Sequence, residues 1–180
     1  MPSTISRPAA DEYAPYCQGY VQRVPDGDIL TILEAQPAEI RAVLAGVSEA
    51  QADYRTAPGE WSIKEVIGHL SDCERVFAYR VLRFSRKDPT PLSGFEQDDY
   101  VRESHAASRS LVGLVQEFEF LRRANLLAYQ ALTESDSMLR GRASDIAVSV
   151  RGLLYIMAGH VFHHLDSLQN DYLPGIGKVE

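Results

Sequence analysis

Three of the five histidines in this 180-residue chain fall within Gly159-His160-Val161-Phe162-His163-His164-Leu165. On a helix, His160 and His164 lie one turn apart on one face, and two imidazoles at that spacing can grip one divalent metal. A third candidate, His69, sits far upstream in Ile63-Lys64-Glu65-Val66-Ile67-Gly68-His69-Leu70, also with helical pattern. His160 and His164 share an apolar stripe with Met157, Val161 and Leu168, and His69 shares one with Val66, Leu70 and Phe77. Burying a polar ring costs free energy unless it finds a partner. A divalent metal gives all three the same partner, each neutral ring donating a nitrogen at about 2.0–2.1 Å if the ion is zinc. The alternative is that each ring bonds a carbonyl or carboxylate, the usual fate of a lone helical histidine. His-x-x-x-His is a weak motif alone, since Val161 stands where a metalloprotease needs glutamate. Three protein ligands leave a coordination position open, as catalytic sites do. Water, a substrate oxygen or a thiolate in that position would have its pKa lowered and supply a nucleophile near neutral pH.

Neighbouring residues carry weaker signals. His163 lies near the same seam but turned aside, suiting a supporting or interface role better than ligation. Asp72 and Cys73 follow His69 by nearly one turn. Asp72 could orient a histidine through its second ring nitrogen but reads better as a surface or pairing carboxylate; Cys73 reads better as a small buried residue than as a soft ligand. Arg80 and Arg83 are expected to be solvated or paired with acids such as Glu117 and Glu119. Tyr13, Tyr16 and Tyr20 could line a site, though anchoring the N-terminal segment is the better expectation.

The elements that must position these residues follow from caps and period. Residues 1–27, rich in tyrosine and proline, read as an irregular arm with one short helical turn. Asp28 caps a helix carrying Ile29, Leu33, Ile40 and Leu44, expected to bend or restart at Pro37 and to end at Gly46. Ser48-Glu49-Ala50-Gln51 is a capping box opening a short turn, and Ser62-Ile63-Lys64-Glu65 opens the second helix, which runs to about Arg86. Residues 88–105, with Pro89, Pro91 and Gly94, lack helical period and read as a long connecting loop. A third helix starts near Ser108 or Ser110 and runs to about Thr133. A polar stretch containing Gly141 follows, and Ser149 caps a fourth helix that Pro174 should end. Four amphipathic segments with almost no period-2 alternation predict an all-α, four-helix bundle over residues 28–174 behind the 1–27 arm, and the long second connection leaves a simple up-down-up-down order open.

Composition narrows the functional classes. The net charge of −7 and pI near 5.2 argue against a nucleic-acid partner. No apolar run is long enough to span a bilayer, and Met1 to Tyr16 lacks the character of a signal peptide. Cys17 and Cys73 form no close pair, so a reducing cytoplasm is expected.

Pro58-Gly59-Glu60-Trp61-Ser62-Ile63-Lys64-Glu65-Val66-Ile67-Gly68-His69-Leu70 with Asp72, Glu74 and Arg75, and Ala158-Gly159-His160-Val161-Phe162-His163-His164-Leu165, resemble the two signatures of the DinB/YfiT-like superfamily. Glu117-Phe118 and Leu121-Arg122 extend the resemblance over about Asp28 to Tyr172. It implies a DinB-type four-helix bundle, often dimeric, with a divalent metal on His69, His160 and His164. The family also includes thiol-dependent S-transferases and isomerases using bacillithiol, mycothiol or glutathione.

The expected function is therefore a metal-dependent enzyme, foremost a thiol S-transferase in which the metal binds the thiolate of a low-molecular-weight cosubstrate that attacks an electrophilic small molecule. Metal-dependent hydrolysis and a non-catalytic metal-binding or stress-response module are the alternatives. Histidine ligands suit zinc, nickel, copper or iron alike. Phe95, Tyr100, Phe120 and Tyr129 exceed what one bundle face needs and weakly favour the homodimer.

Overall fold

The computed structural model describes residues 5–176; the first four residues of the expected arm lie outside them. Two 3-10 turns (Ala10–Glu12 and Pro15–Cys17) lead into a short helix α1 (Gln18–Arg23). Then follow α2 (Ile29–Val43), α3 (Ile63–Ser85), α4 (Gln97–Glu103), α5 (Leu111–Tyr129) and α6 (Glu134–Ser137). A hairpin of β1 (Arg140–Ala143) and β2 (Ile146–Ser149) precedes α7 (Val150–Ser167), which continues through a π-helical turn (Leu168–Tyr172) into α8 (Leu173–Ile176).

The four long helices α2, α3, α5 and α7 make the bundle. Each start is fixed by a side chain accepting an otherwise unpaired N–H. Asp28 accepts from Thr31 at 3.0 Å, Ser110 from Gly113 at 3.1 Å and Ser149 from Gly152 at 2.9 Å. Ser62 and Glu65 form the reciprocal capping box of α3, and Ser48 and Gln51 form the other expected box.

α2 and α3 each pack on both α5 and α7, so these two sequence neighbours stand diagonally across the bundle. Gly68 in the first half of α3 faces Leu114 near the start of α5, and Glu74 further along meets Arg122 and Asn125; α3 and α5 are therefore parallel. α7 runs against α3: His69 meets His164, while Phe84 lies against Gly141, ahead of α7. α2 runs against α5, with Leu33 bonded by Arg122 and Leu44 beside Leu111. The order is up-down-down-up, and the long 86–110 connection is required because its ends join two parallel neighbours.

Pro37 does not restart α2, which runs unbroken from Ile29 to Val43. A proline leaves the carbonyl four residues earlier without its helical donor. Here that carbonyl, Leu33, accepts instead from Arg122 Nη1 at 3.1 Å. Arg122 is fully buried, forks onto Glu74 through Nε (3.0 Å) and Nη2 (2.9 Å), and donates to Gln36 Oε1 at 2.8 Å. Asn125 donates to the same glutamate, and Gln36 Nε2 donates to the Ala158 carbonyl at 2.7 Å. This polar layer touches all four bundle helices and lies between two apolar cores. One core holds Leu33, Phe84, Leu126 and Leu153; the other holds Ile40, Ile67, Phe118 and Leu165.

Other expectations need correction. The 88–105 loop contains α4, where Asp98 and Asp99 suit the first turn and Val101 is buried. The polar stretch around Gly141 is the β1–β2 hairpin, paired Arg140↔Ser149 to Ala143↔Ile146. Ser144 and Asp145 turn it with φ of 52° and 61°, the two positive values a tight I′ turn demands; Leu92 of the crossover adds a parallel bridge to Ala143. α5 stops at Tyr129 rather than Thr133. Pro174 does not end the last helix: it lies inside α8, which follows the π-helical turn without a break. Tyr129, counted as surplus aromatic surface, is buried against the first core. The charges pair differently too. Arg83 binds Asp88, Glu117 takes Arg75 and Arg109, and Glu119 takes Arg41 and Arg123.

Candidate metal centre

α3 brings His69 and α7 brings His160 and His164 to one point, where one ring nitrogen from each lies within 4.8 Å of the others. His69 and His160 are buried and His164 partly so. His160 Nε2 stands 3.1 Å from Nε2 of both His69 and His164. A ring nitrogen carries either one proton or one lone pair, so a well-formed hydrogen bond can satisfy only one of those two contacts. Nitrogens bound to one zinc at tetrahedral angles stand about 3.3 Å apart, close to what is observed. Burial pushes the His69 pKa down to about 4, that of His164 to about 3, and that of His160 well below its usual range. All three rings are therefore neutral at pH 7, the form that donates to a metal. The donor set fits a divalent ion.

Each side of the cluster is built by a Gly-His step. A Cβ at Gly159 would lie 1.9 Å from the backbone oxygen of Tyr20, so only glycine lets α1 press its backbone on α7 there. That contact sets the Tyr20 ring edge-on to His160, with centroids 5.5 Å apart. A Cβ at Gly68 would lie 2.8 Å from that of Ala106, so glycine likewise admits the crossover beside His69. Trp61 covers the other side, tilted over His69 at 4.6 Å and stacked on His164 at 6.4 Å. Phe77 meets His160 at 6.1 Å.

His160 is also part of the wall of a cavity of about 380 Å³, within the size range of small-molecule sites. The arm supplies Tyr16, Cys17 and Tyr20; α3 supplies Cys73, Phe77 and Arg80; the crossover supplies Phe95, Glu96, Gln97 and Asp98. The hairpin and the start of α7 close it with Ser144, Val148, Leu153 and Ile156. Burial pushes the Cys73 thiol up to about 12 and raises Cys17 and Tyr20 as well, so these three groups keep their protons at neutral pH.

The three predicted histidines are brought together; the flanking candidates are not. His163 is half-buried and stands edge-on beneath Tyr20 at 5.6 Å, outside the cluster. Asp72 faces Arg75. Cys73 Sγ lies 3.5 Å from His69 Nε2 but is not one of the clustered donors. Tyr16 and Tyr20 line the cavity, the role ranked second to anchoring, and Tyr20 does both. Arg80 is not paired with an acid of α5; it is buried in the cavity wall. Sequence reasoning named Glu74 and Arg122 only within the resemblance and gave neither a role. The available signal was position: each falls on an otherwise apolar stripe, Ile67-Leu70-Glu74-Phe77-Val81 and Leu114-Phe118-Arg122-Leu126, with opposite charge.

The chain belongs to the DinB superfamily, whose family model matches residues 32–168. Its fold is similar to that of YfiT from Bacillus subtilis, with a TM-score of 0.75 and 14% identity over 96% of this chain and 94% of that one. YfiT is described as "a probable metal-dependent hydrolase with an unusual four-helix bundle topology". No curated protein matches the chain significantly in sequence. Among the described residues, no helix is long and apolar enough to cross a membrane.

Proposed function

We propose that this protein is a metal-dependent enzyme that holds a small electrophile in the 380 Å³ cavity and transfers to it the sulfur of a small cellular thiol, with His69, His160 and His164 as the metal ligands. The observation that carries this reading is the composition of the cluster: three neutral imidazoles with no carboxylate among the donors gathered there, considering the described residues. A divalent ion on these rings ionises a thiol outright and lowers the pKa of water to about 7, so a thiol needs no separate base. The chain's own residues do the rest. Trp61, Tyr20 and Phe77 surround the rings and exclude bulk water. Cys73 lines the same cavity but is not one of the clustered donors, which leaves the nucleophile's role to the bound thiol. Tyr20 keeps its proton, available for donation to the acceptor.

Hydrolysis is a second reading. It is favoured by the likeness to YfiT and by Glu96 and Asp98 in the cavity wall, carboxylates that can take a proton from water. We also propose a homodimer, with Val112, Phe120 and Leu127 of α5 exposed and available for the contact; light scattering at a monomer mass removes it.

The deciding experiment loads the protein with zinc or nickel and offers 1-chloro-2,4-dinitrobenzene with glutathione, mycothiol or bacillithiol, alongside ester substrates without thiol. The thiol reading expects conjugation with at least one thiol and none in a His160→Ala/His164→Ala variant. Ester cleavage without conjugation selects hydrolysis. Absence of both reactions, together with a His69→Ala variant that loses melting temperature, selects the non-catalytic module.

A further inference from the structure

Lys64, Arg80 and Arg122 are the buried lysine and arginine side chains among the described residues. Lys64 pairs with Asp53 at 2.9 Å and Glu49 at 3.3 Å, and Arg122 pairs with Glu74. Arg80 has no carboxylate partner among the described residues. A buried cation without a counter-ion is costly, so such a site calls for an anion from outside. The fixed protein bonds of Arg80 come from one nitrogen: Nη2 donates to the Ser93 carbonyl at 3.4 Å and to Ser144 Oγ at 3.1 Å. Of the five guanidinium donors, those on Nε and Nη1 have no described protein partner, and the side chain is part of the cavity wall. Phe77 links this end to the metal end, since its ring lies 5.8 Å from the Arg80 guanidinium carbon and 6.1 Å from the His160 ring.

We propose that Arg80 is the anion anchor of the cavity and that the ligand is a small organic monoanion. Its carboxylate or sulfonate accepts from the free Nε–H of Arg80, its apolar body lies along Phe77 and Leu153, and its reactive end points toward His160. Nη2 is held by Ser93 and Ser144, so the anion takes a single charge-assisted hydrogen bond, about twice as strong as a neutral one. Glu96 and Asp98 line the same cavity and disfavour a second negative charge, which limits the ligand to one anionic end. The proposal rests on the cavity being the substrate site of the reaction proposed above, whichever nucleophile is used there.

The test measures binding rather than turnover, so its failure is separate from failure of the metal chemistry. Metal-loaded protein is titrated calorimetrically with 3-phenylpropionate, 3-phenylpropane-1-sulfonate and the neutral 3-phenylpropionamide; the sulfonate is included because it is a poor metal ligand. The expected result is that both anions bind about tenfold or more tighter than the amide. Arg80→Gln should bring both down to the amide's level at unchanged metal content, and Arg80→Lys should restore part of the difference. A purely structural Arg80, tying Ser93 to Ser144, would weaken all three ligands equally and lower the melting temperature. Should Arg80→Gln fail to fold, the wild-type anion-to-amide ratio and the Arg80 Nε–H resonance during titration decide the matter. An undisturbed resonance, equal affinities, or no saturable anion binding overturns the proposal.

Discussion

Gly159→Ala is the substitution for which two physical effects predict opposite signs. Gly159 lies inside α7, and replacing an interior helical glycine by alanine gains about 0.8–1 kcal/mol in helix propensity. Against this, the new Cβ would stand 1.9 Å from the Tyr20 carbonyl oxygen and 2.4 Å from its carbon. Those are backbone atoms, unable to rotate away as a side-chain tip would. Restoring an ordinary contact moves α1 outward by roughly 1.5 Å, enough to loosen Val21 and Val24, each 3% exposed, and to lift Tyr20 off His160. Overpacking of this kind costs about 1–3 kcal/mol, and each valine has about 1.5–3 kcal/mol at stake when fully uncovered. Overpacking less the helix gain leaves about 0–2 kcal/mol, and partial uncovering of the two valines adds about 1 kcal/mol, so packing wins and the variant should be destabilised by about 1–3 kcal/mol net. Urea unfolding followed by circular dichroism gives the magnitude, and limited proteolysis should show earlier cleavage around Arg23. A variant as stable as wild type or more so, with unchanged cleavage, refutes the close α1–α7 contact.

Glu74→Ala leaves Arg122 buried without its counter-ion and should cost about 3–5 kcal/mol; chemical denaturation measures it, and a loss below about 1 kcal/mol would deny the polar layer its role. Glu74→Leu/Arg122→Met, which removes both charges, should recover only part of that loss, because the Leu33 carbonyl, Gln36 and Asn125 lose their partners. Glu12 accepts from Arg151, at 2.8 Å from Nε, and from Ala9 at 2.9 Å, and these bonds lower its pKa from 4.5 to about 2. The charged form is thus the one favoured in the folded chain, so its contribution of about 3 kcal/mol is complete above pH 4.5 and fades as pH falls toward 2. Glu12→Gln should flatten that part of the acid stability curve, and an identical curve in the variant would contradict the pairing.

Much of the bundle and the histidine cluster was legible because both follow local rules. Asp28, Ser62, Ser110 and Ser149 announce four helix starts, and His69, His160 and His164 each interrupt an apolar stripe at helical spacing. What was hidden depends on partners remote in sequence. Pro37 reads as a helix breaker until Arg122 is seen taking the carbonyl it frees. The β1–β2 hairpin is only four residues per strand and turns on Ser144-Asp145 rather than a glycine pair, so its signal was faint. The arm and the 88–105 segment were expected beside the site, but the cavity's particular walls escaped because the arm, α3, the crossover and the hairpin each add a few residues that no periodicity connects. Arg80 looked like a surface charge for the same reason.

The most direct measurement is elemental analysis of tag-free protein beside the His160→Ala/His164→Ala variant, both reconstituted with zinc or nickel and freed of excess metal. Three convergent neutral imidazoles predict close to one metal ion per chain in the wild type and none retained in the variant, with both proteins folded. Equal metal in the two, or none in either after reconstitution, would contradict a metal centre on His69, His160 and His164.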